Sequence, residues 1–341
     1  MGELEVMKRL ACAALLAIGC SSVAAWGADV KLLTKAPQPA PVANPWDFAF
    51  GSALMSDYNF RGITQSNHKP SVAAYFEPRY NITDTLQAYV GVSGESISFP
   101  NRAAAEIDFY AGIRPTIGKL VLDFGFWEYY YPGGQCFNVA AVAGPDCSNQ
   151  GAVPTTLPNG NVMKADVSFW EVYGKATYTV SDNFTFGGSA FYSPSVLSSG
   201  ADGTYVAGTA KYTVPNAPLP SGVGVFISAD VGHWFLGTSD SFYCTQVDGV
   251  CGGAFPTGIP YKSYTNWDAG LGFTYKVFTL DLRYYDTNLN KGDCNAFSSD
   301  HTATGIATTP INPFPAPGSS WCGASFIAKL SVDMTAAANL K

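Results

Sequence analysis

The segment WDFAFGSALMSDYNFRGIT, residues 46–64, determines how the rest of the chain is interpreted. In its first half the large apolar side chains share one parity: Trp46, Phe48, Phe50 and Leu54. Because successive side chains of a strand point to opposite faces, this half predicts a strand with one apolar face and one small or polar face. The second half, 56–64, loses the alternation and predicts a polar turn. The same succession of strand and turn recurs to the C-terminus.

The composition favours a membrane protein that crosses the bilayer with strands. Charged residues make up 13% of the 341 residues, about half the roughly 25% typical of soluble domains. Outside the N-terminus, no uninterrupted apolar run reaches the roughly 18 residues that indicate a membrane helix. A β-barrel instead spreads its apolar residues through alternation, and the aromatic content of 14% suits it. The net charge of −7 argues against a nucleic-acid partner.

The alternating segments predict twelve strands. Their predicted bounds are Trp46–Leu54, Ser71–Tyr80, Leu86–Ser96, Glu106–Pro115, Leu120–Tyr131, Ala165–Val180, Phe184–Ser193, Thr204–Val214, Val223–Phe235, Tyr264–Lys276, Phe278–Asp286 and Ala324–Asp333. Long and short connections alternate between them, as in bacterial outer-membrane barrels. We therefore expect an all-β fold, a single transmembrane antiparallel up-and-down β-barrel with long external loops and short periplasmic turns. Ten and fourteen strands are the alternatives.

The N-terminal region has the pattern of a secretory signal, which places the protein in the bacterial outer membrane. Residues 1–28 hold a basic region, an apolar run and a small-residue exit, with cleavage after Ala25 or Ala28. Cys20 leaves lipidation open as an alternative. The Pro-rich residues 29–45 predict a periplasmic linker, and residues 46–341 the barrel.

Six cysteines follow the signal and fall two by two into three long loops. This placement predicts the pairs Cys136–Cys147, Cys244–Cys251 and Cys294–Cys322, one of fifteen pairings that six cysteines allow. Disulfides belong to oxidising compartments, which suits loops outside the membrane. No CxxC pair exists and the three histidines are scattered, so the sequence predicts no metal site and no cofactor.

The face opposite the apolar one carries the charges, as a water-filled lumen tolerates and lipid does not. The predicted lumen-lining residues are Glu77, Arg79, Glu95, Glu106, Asp108, Arg114, Asp123, Glu171, Lys175, Lys211, Asp230, Asp268, Asp281, Arg283 and Lys329, with Asp47 and Lys276 at strand ends. The excess of acids predicts a mild preference for cations. The alternative is that these charges pair across the lumen and fill a plugged barrel. A cluster of Trp127, Tyr129, Tyr130 and Tyr131 predicts part of an aromatic girdle at the membrane surface.

Residues 51–66, GSALMSDYNFRGITQS, resemble the opening of the TorF family of outer-membrane porins, in which a strand ends in a SDY-x-FRG motif. The matching residues are Ser56, Asp57, Tyr58, Phe60, Arg61 and Gly62. The resemblance implies an outer-membrane barrel that forms a pore. Arg61 has two interpretations: pairing with a lumen carboxylate such as Glu95, or shaping the first external loop with its Gly62 turn, which is favoured.

These patterns predict passive diffusion of small hydrophilic solutes or ions, with membrane lipid as the other partner and homo-oligomerisation left open. The alternatives are a non-conducting surface, adhesion or receptor protein and, less favoured, a lipid hydrolase. No nucleophile motif stands out. We interpret His233 as an aromatic ring at the membrane interface beside Trp234 and not as a catalytic base, so we expect no enzyme. The apolar loop Pro132–Lys164 predicts a constriction folded into the mouth, or a loop packed on the rim.

Overall fold

The computed structural model describes residues 45–138, 147, 157–247, 250–252, 255–307 and 316–340. The predicted signal peptide and nearly all of the Pro-rich linker lie outside the described residues. The division of the chain at residues 28 and 45 therefore stays a prediction.

Twelve antiparallel strands close into one barrel, which confirms the predicted fold class and strand number. Each strand pairs with its neighbours in sequence, and the first pairs with the last, from Ala49 opposite Thr335 to Met55 opposite Lys329. Closure leaves no strand edge whose backbone groups would meet lipid unpaired. The strands are β1 (Trp46–Met55), β2 (Ser71–Thr83), β3 (Leu86–Glu95), β4 (Glu106–Ile117), β5 (Leu120–Tyr130), β6 (Phe169–Ser181), β7 (Phe184–Ser193), β8 (Gly203–Thr213), β9 (Val223–Leu236), β10 (Tyr264–Tyr275), β11 (Phe278–Thr287) and β12 (Ser325–Thr335).

Two predicted boundaries are wrong by three or four residues. The second strand ends at Thr83 instead of Tyr80, and the sixth strand begins at Phe169 instead of Ala165. The backbone N–H of Ser168 donates to the Asp166 carboxylate (2.9 Å), so the side chain of Asp166 holds a local turn where the prediction had a strand. Lys276 is corrected as well, because it lies exposed in the turn after β10 and not on the lumen face.

Side chains alternate between the two faces of the barrel wall. On β1, Trp46 and Leu54 are 50% and 56% exposed, whereas Ala49 between them is 1% exposed. The outward positions of the other strands likewise carry exposed Val, Leu, Ile and Phe side chains. A continuous apolar surface of this kind is incompatible with water and requires the hydrocarbon of a bilayer.

Outward aromatic rings lie at both ends of the barrel wall. Those near the periplasmic turns are Trp46, Tyr80, Tyr178, Tyr212 and Tyr275, and those near the external loops are Tyr130, Trp170, Tyr192 and Trp267. Such rings favour the interface between lipid and water. The girdle prediction for residues 127–131 holds for Tyr130 alone. Trp127, Tyr129 and Tyr131 point inward and are buried, since they share the other parity.

The connections separate the two ends of the barrel. Two-residue turns join β2 to β3, β4 to β5, β6 to β7 and β10 to β11, and a longer turn, 214–222, joins β8 to β9. The opposite end carries the long loops. They contain the strand pairs Asn59–Phe60 with Ile63–Thr64, Gln246–Val247 with Val250–Cys251 and Thr304–Ala307 with Ala316–Gly318, the 3-10 helices Val196–Ser198 and Ser241–Tyr243, and helix α1 (Lys291–Ser298). A short helix α2 (Ala336–Asn339) follows β12. None of the helices within the described ranges is long and apolar enough to cross a bilayer.

The three predicted disulfides are present: Cys136–Cys147, Cys244–Cys251 and Cys294–Cys322. They span 11, 7 and 28 residues of sequence, so each closes one external loop on itself. Cross-linking such loops restricts the unfolded chain and braces the external surface.

A charge on the outward face of the wall tests the membrane assignment. Val90 lies near the middle of β3 and is 57% exposed. We expect Val90→Arg to lower the free energy of unfolding in lipid vesicles by about 2–4 kcal/mol, because a cation at mid-bilayer must be desolvated. Val90→Leu serves as the control, and denaturant titration of the refolded barrel measures both. Equal stability of the two variants would contradict a lipid-facing Val90.

Candidate functional site

The first external loop folds back into the barrel and closes its external end. We call residues 57–66 the plug. Its two short strands, Asn59–Phe60 and Ile63–Thr64, pair only with each other and form no part of the barrel wall. Arg61 is 5% exposed and Thr64 is fully buried, so the polar loop predicted by the sequence is in fact an interior element.

The tip of the plug is a two-residue turn with a special backbone. Arg61 and Gly62 have φ values of 49° and 84°, the left-handed pair that a type I′ hairpin turn requires. A Cβ on Gly62 would stand 2.3 Å from the Thr287 methyl group and 2.9 Å from Asn266 Cβ. Glycine therefore satisfies both the backbone and the close contact with the wall. The left-handed Arg61 is strained, and its contacts must offset that strain.

Arg61 forms a buried bidentate ion pair with Glu171 of β6. Its two terminal nitrogens donate to the two carboxylate oxygens at 2.8 and 2.6 Å. The Tyr129 hydroxyl also donates to Glu171 (3.1 Å). The interpretation of Arg61 as the partner of a lumen carboxylate is thus correct in kind, but the predicted partner Glu95 is wrong. The favoured alternative, a role in shaping the loop, holds as well.

Four aromatic rings surround the same guanidinium. Arg61 Cζ lies 4.6 Å from the ring centre of Phe60, 4.9 Å from Phe191, 4.3 Å from Tyr205 and 4.4 Å from Trp234. Desolvated cation–π contacts of this kind stabilise a buried cation. Burial acts to lower the pKa of Arg61, but the Glu171 carboxylate outweighs it and raises the pKa, so the side chain stays charged.

Asp57 holds the base of the plug together. Its carboxylate accepts hydrogen bonds from the hydroxyls of Thr64 and Ser66, the latter at 2.8 Å. His68 Nδ1 lies 2.9 Å from the other carboxylate oxygen. The motif residues around Arg61 therefore serve one purpose, which is to fix a loop inside the barrel.

The inward charges below the plug pair with one another. Arg114 bonds Glu77 (2.7 Å) and Asp123 (3.1 Å), and Arg79 bonds Glu77 (2.6 Å). On the other side of the barrel, Arg283 bonds Asp268 (2.5 Å) and Asp281 (3.0 Å) and lies 3.8 Å from Asp230. Lys175 and Lys211 pack over Tyr173 and Phe226. Lys329 is inward by its position between the buried Ile327 and Ser331.

Three predicted lumen residues, all acidic, come together with no basic side chain beside them in the described residues. Glu95 and Glu106 lie directly opposite each other on β3 and β4, and Asp108 follows on the same face. All three are buried. Carboxylate oxygens are ligands for hard cations, so this trio is the group in the described residues that is able to hold a metal ion. Sequence reasoning did not bring the three together, because they come from two strands and follow no local motif, and the expected absence of a metal site stays a prediction.

Sequence reasoning also missed the apolar lining of the external mouth. A pocket lies between the plug and the loops. Its walls include Phe60, Phe99, Met163, Trp234, Phe297 and Trp321. Residues 157–164 and the start of the loop after β5 pack over this mouth, with Phe137 bridged to Met163. The apolar part of that loop, 139–146, lies outside the described residues, so its predicted constriction stays a prediction.

His233 points toward lipid, as its parity predicts. Its Nδ1 lies 2.8 Å from the Thr265 hydroxyl on the neighbouring strand. Trp234 points the other way and is buried against the plug, so the two rings do not form one interfacial pair.

A closed barrel with an apolar outer belt, a charged interior and disulfide-braced loops defines an outer-membrane β-barrel protein. The chain belongs to a family of bacterial proteins of unknown function, Gcw_chp, whose model matches residues 39–309. The narrower likeness to TorF porins is not confirmed by this match. The comparison with curated proteins found no significant match.

Several solved structures are similar in fold at low identity. The COG4313 outer membrane channel from Pseudomonas putida F1 is 11% identical, with 87% of this chain and 97% of that chain covered and a TM-score of 0.40. The NanC porin is 8% identical (84% and 98% covered, TM-score 0.39), and LpxR from Salmonella typhimurium is 9% identical (84% and 99%, TM-score 0.36). Because these TM-scores lie below 0.5, no function is argued from them.

Removal of the plug's cation tests the role of the buried ion pair. We expect Arg61→Ala to lower the free energy of opening the plug by about 3–5 kcal/mol, because Glu171 is left buried without its partner. Hydrogen exchange of the backbone amides in residues 57–66 measures this opening. The control is Arg79→Ala, which removes a cation at the far end of the lumen. Unchanged exchange in Arg61→Ala would contradict the assigned role.

The contact between His68 and Asp57 makes the plug sensitive to pH. The hydrogen bond to Asp57 raises the pKa of His68 above its ordinary 6.5. A histidine whose pKa is raised in the folded state stabilises the fold below its unfolded pKa of about 6.5. This stability is lost as the pH rises through the folded-state pKa. Since the His68 side chain is 38% exposed, solvent screening keeps the effect small.

We therefore expect the plug of the native protein to open more readily at pH 8 than at pH 5.5. Hydrogen exchange, corrected for its intrinsic dependence on pH, measures the difference, and His68→Gln should abolish it. A difference of equal size in His68→Gln would assign the effect to another group.

Proposed function

We propose that this protein is an outer-membrane channel for passive diffusion of small hydrophilic solutes or ions, closed at its external mouth by the plug. The observation that carries the proposal is the construction of the plug. It is held by side-chain contacts, above all Arg61 with Glu171, and by backbone hydrogen bonds to neighbouring external loops, and not by pairing with the barrel strands. A segment bound in this way is able to leave the lumen while the wall stays closed.

The barrel interior suits an aqueous path once the plug has moved. Twelve strands lie between the eight-stranded barrels that side chains fill and the sixteen-stranded barrels that hold an open channel. The inward residues between Glu77 and Lys329 named above would line this path, with Arg114 and Arg283 at the centres of two ion-pair networks. The resemblance of residues 51–66 to TorF porins points the same way.

The charge balance of the interior supports a mild preference for cations. Acids outnumber bases on the inward face, and rings of carboxylates favour cations. Many of these acids are paired, which reduces the expected preference. We propose no catalytic reaction. The histidine considered for one, His233, points toward lipid, and its Nδ1 contacts the Thr265 hydroxyl.

A non-conducting surface or receptor protein is the second candidate. Two observations favour it: the mouth is closed by buried contacts, and three disulfides brace the external loops. In that case the plug would be a permanent part of the interior and the loops a recognition surface.

Conductance of the purified protein in planar lipid bilayers separates the two candidates. We expect rare openings in the native protein, and an open fraction about 100-fold to a few thousand-fold greater in Arg61→Ala, because each 1.4 kcal/mol lost from the plug is tenfold in its population. Arg79→Ala is the matched control that leaves the plug intact.

The same traces test selectivity, since the reversal potential in a salt gradient should favour cations modestly. If neither the native protein nor Arg61→Ala conducts, the channel proposal is contradicted and the surface role is favoured.

A further inference from the structure

We propose that Glu95, Glu106 and Asp108 form a calcium site that ties the plug to the barrel wall. The three carboxylates lie at the external end of β3 and β4, directly beside the plug. Each offers one oxygen, and these oxygens all lie within 4.8 Å of one another. Nothing in the channel proposal requires this site, and its test does not depend on conductance.

The three carboxylates are buried and have no cation beside them in the described residues. Their exposures are 2%, 2% and 1% for Glu95, Glu106 and Asp108. In the described part of the lumen, the other grouped acids surround Arg114 or Arg283, and Glu171 pairs with Arg61. Like charges directly opposite on neighbouring strands destabilise a sheet, so this cluster needs compensation by a bound cation or by shared protons.

Glu95 supplies an independent indication of a ligand. Its side chain is aimed into the cluster, and neither of its oxygens has a hydrogen-bond partner. Oδ1 of Asp108 is unpartnered too. Buried polar atoms of this kind are rare in native proteins and call for a bound water or ion. Unpartnered oxygens on two of the three carboxylates, in a cluster whose members each bring one oxygen within 4.8 Å of the others, favour an ion.

The donor type favours calcium. Ca²⁺ takes six to eight oxygen ligands at 2.3–2.6 Å in flexible geometry, so oxygens within 4.8 Å of one another are able to share one ion. Mg²⁺ requires near-octahedral geometry and usually keeps several waters, which a buried all-carboxylate cluster fits less well. The Ser93 hydroxyl, which donates to Asp108 (3.1 Å), is placed to add a further oxygen.

Glu106 connects the site to the plug. It accepts hydrogen bonds from the Tyr58 hydroxyl (2.5 Å) and the Tyr131 hydroxyl (2.7 Å). A cation that fixes Glu106 therefore also fixes the acceptor on which the plug's Tyr58 depends.

Calcium binding to the refolded full-length barrel tests the proposal. The protein is stripped with chelator and titrated with CaCl₂ in a calorimeter, and separately with MgCl₂. We expect one Ca²⁺ per chain, with affinity weakened about tenfold or more in Glu95→Gln and in Asp108→Asn. Glu128→Gln is the matched control, since Glu128 lies beside the site on β5 but on the outward face, and it should bind as the native protein does.

A second readout keeps the proposal testable if a variant fails to fold. In the native protein, Ca²⁺ should raise the unfolding midpoint and slow hydrogen exchange in residues 57–66, where Mg²⁺ at equal concentration has a smaller effect. The proposal is overturned if the native protein binds no Ca²⁺ at millimolar concentration, if Mg²⁺ binds more tightly, or if both site variants bind as the native protein does.

Discussion

A bilayer offers no hydrogen bonds to a polypeptide backbone, and the rest of this structure depends on that constraint. The chain satisfies it by pairing β1 with β12 along seven residues of register, which leaves no edge in the lipid. Closure in turn fixes the two faces of every strand. One face must be apolar over the height of the membrane, so most charged side chains of the strands face a shared interior.

That interior is too wide for the wall side chains to fill alone, and the chain fills it in two ways. Stacked aromatic rings such as Tyr110 on Trp127 and Tyr129 on Phe169 occupy the space near the wall. The plug occupies the centre of the external half. Its cation at Arg61 forms a buried ion pair with Glu171 of the wall, and this contact helps to set the depth and the orientation of the plug.

Most of the charges inside the barrel are arranged in local networks that contain an arginine beside one or more acids. The networks around Arg114 and Arg283 hold the lower wall together. The Glu95, Glu106 and Asp108 cluster departs from this rule, and its contact with Tyr58 places the departure at the plug. Burial makes both the arginine networks and the carboxylate cluster costly to disturb, because an uncompensated buried charge destabilises far more than a lost surface pair.

The sequence by itself determined the strands, the inward and outward residues and the disulfide pairs. Period-two alternation is a local property, so each strand could be assigned from its own residues, and paired cysteines within one loop needed no knowledge of the others. The tertiary structure alone decided what the interior residues contact. Arg61 and Glu171 are 110 residues apart, and parity says only that a residue points inward. Parity does not say how far along the barrel axis a loop will reach. For this reason the sequence named the wrong partner, Glu95, for Arg61, and did not show that Glu95 lies beside Glu106 and Asp108.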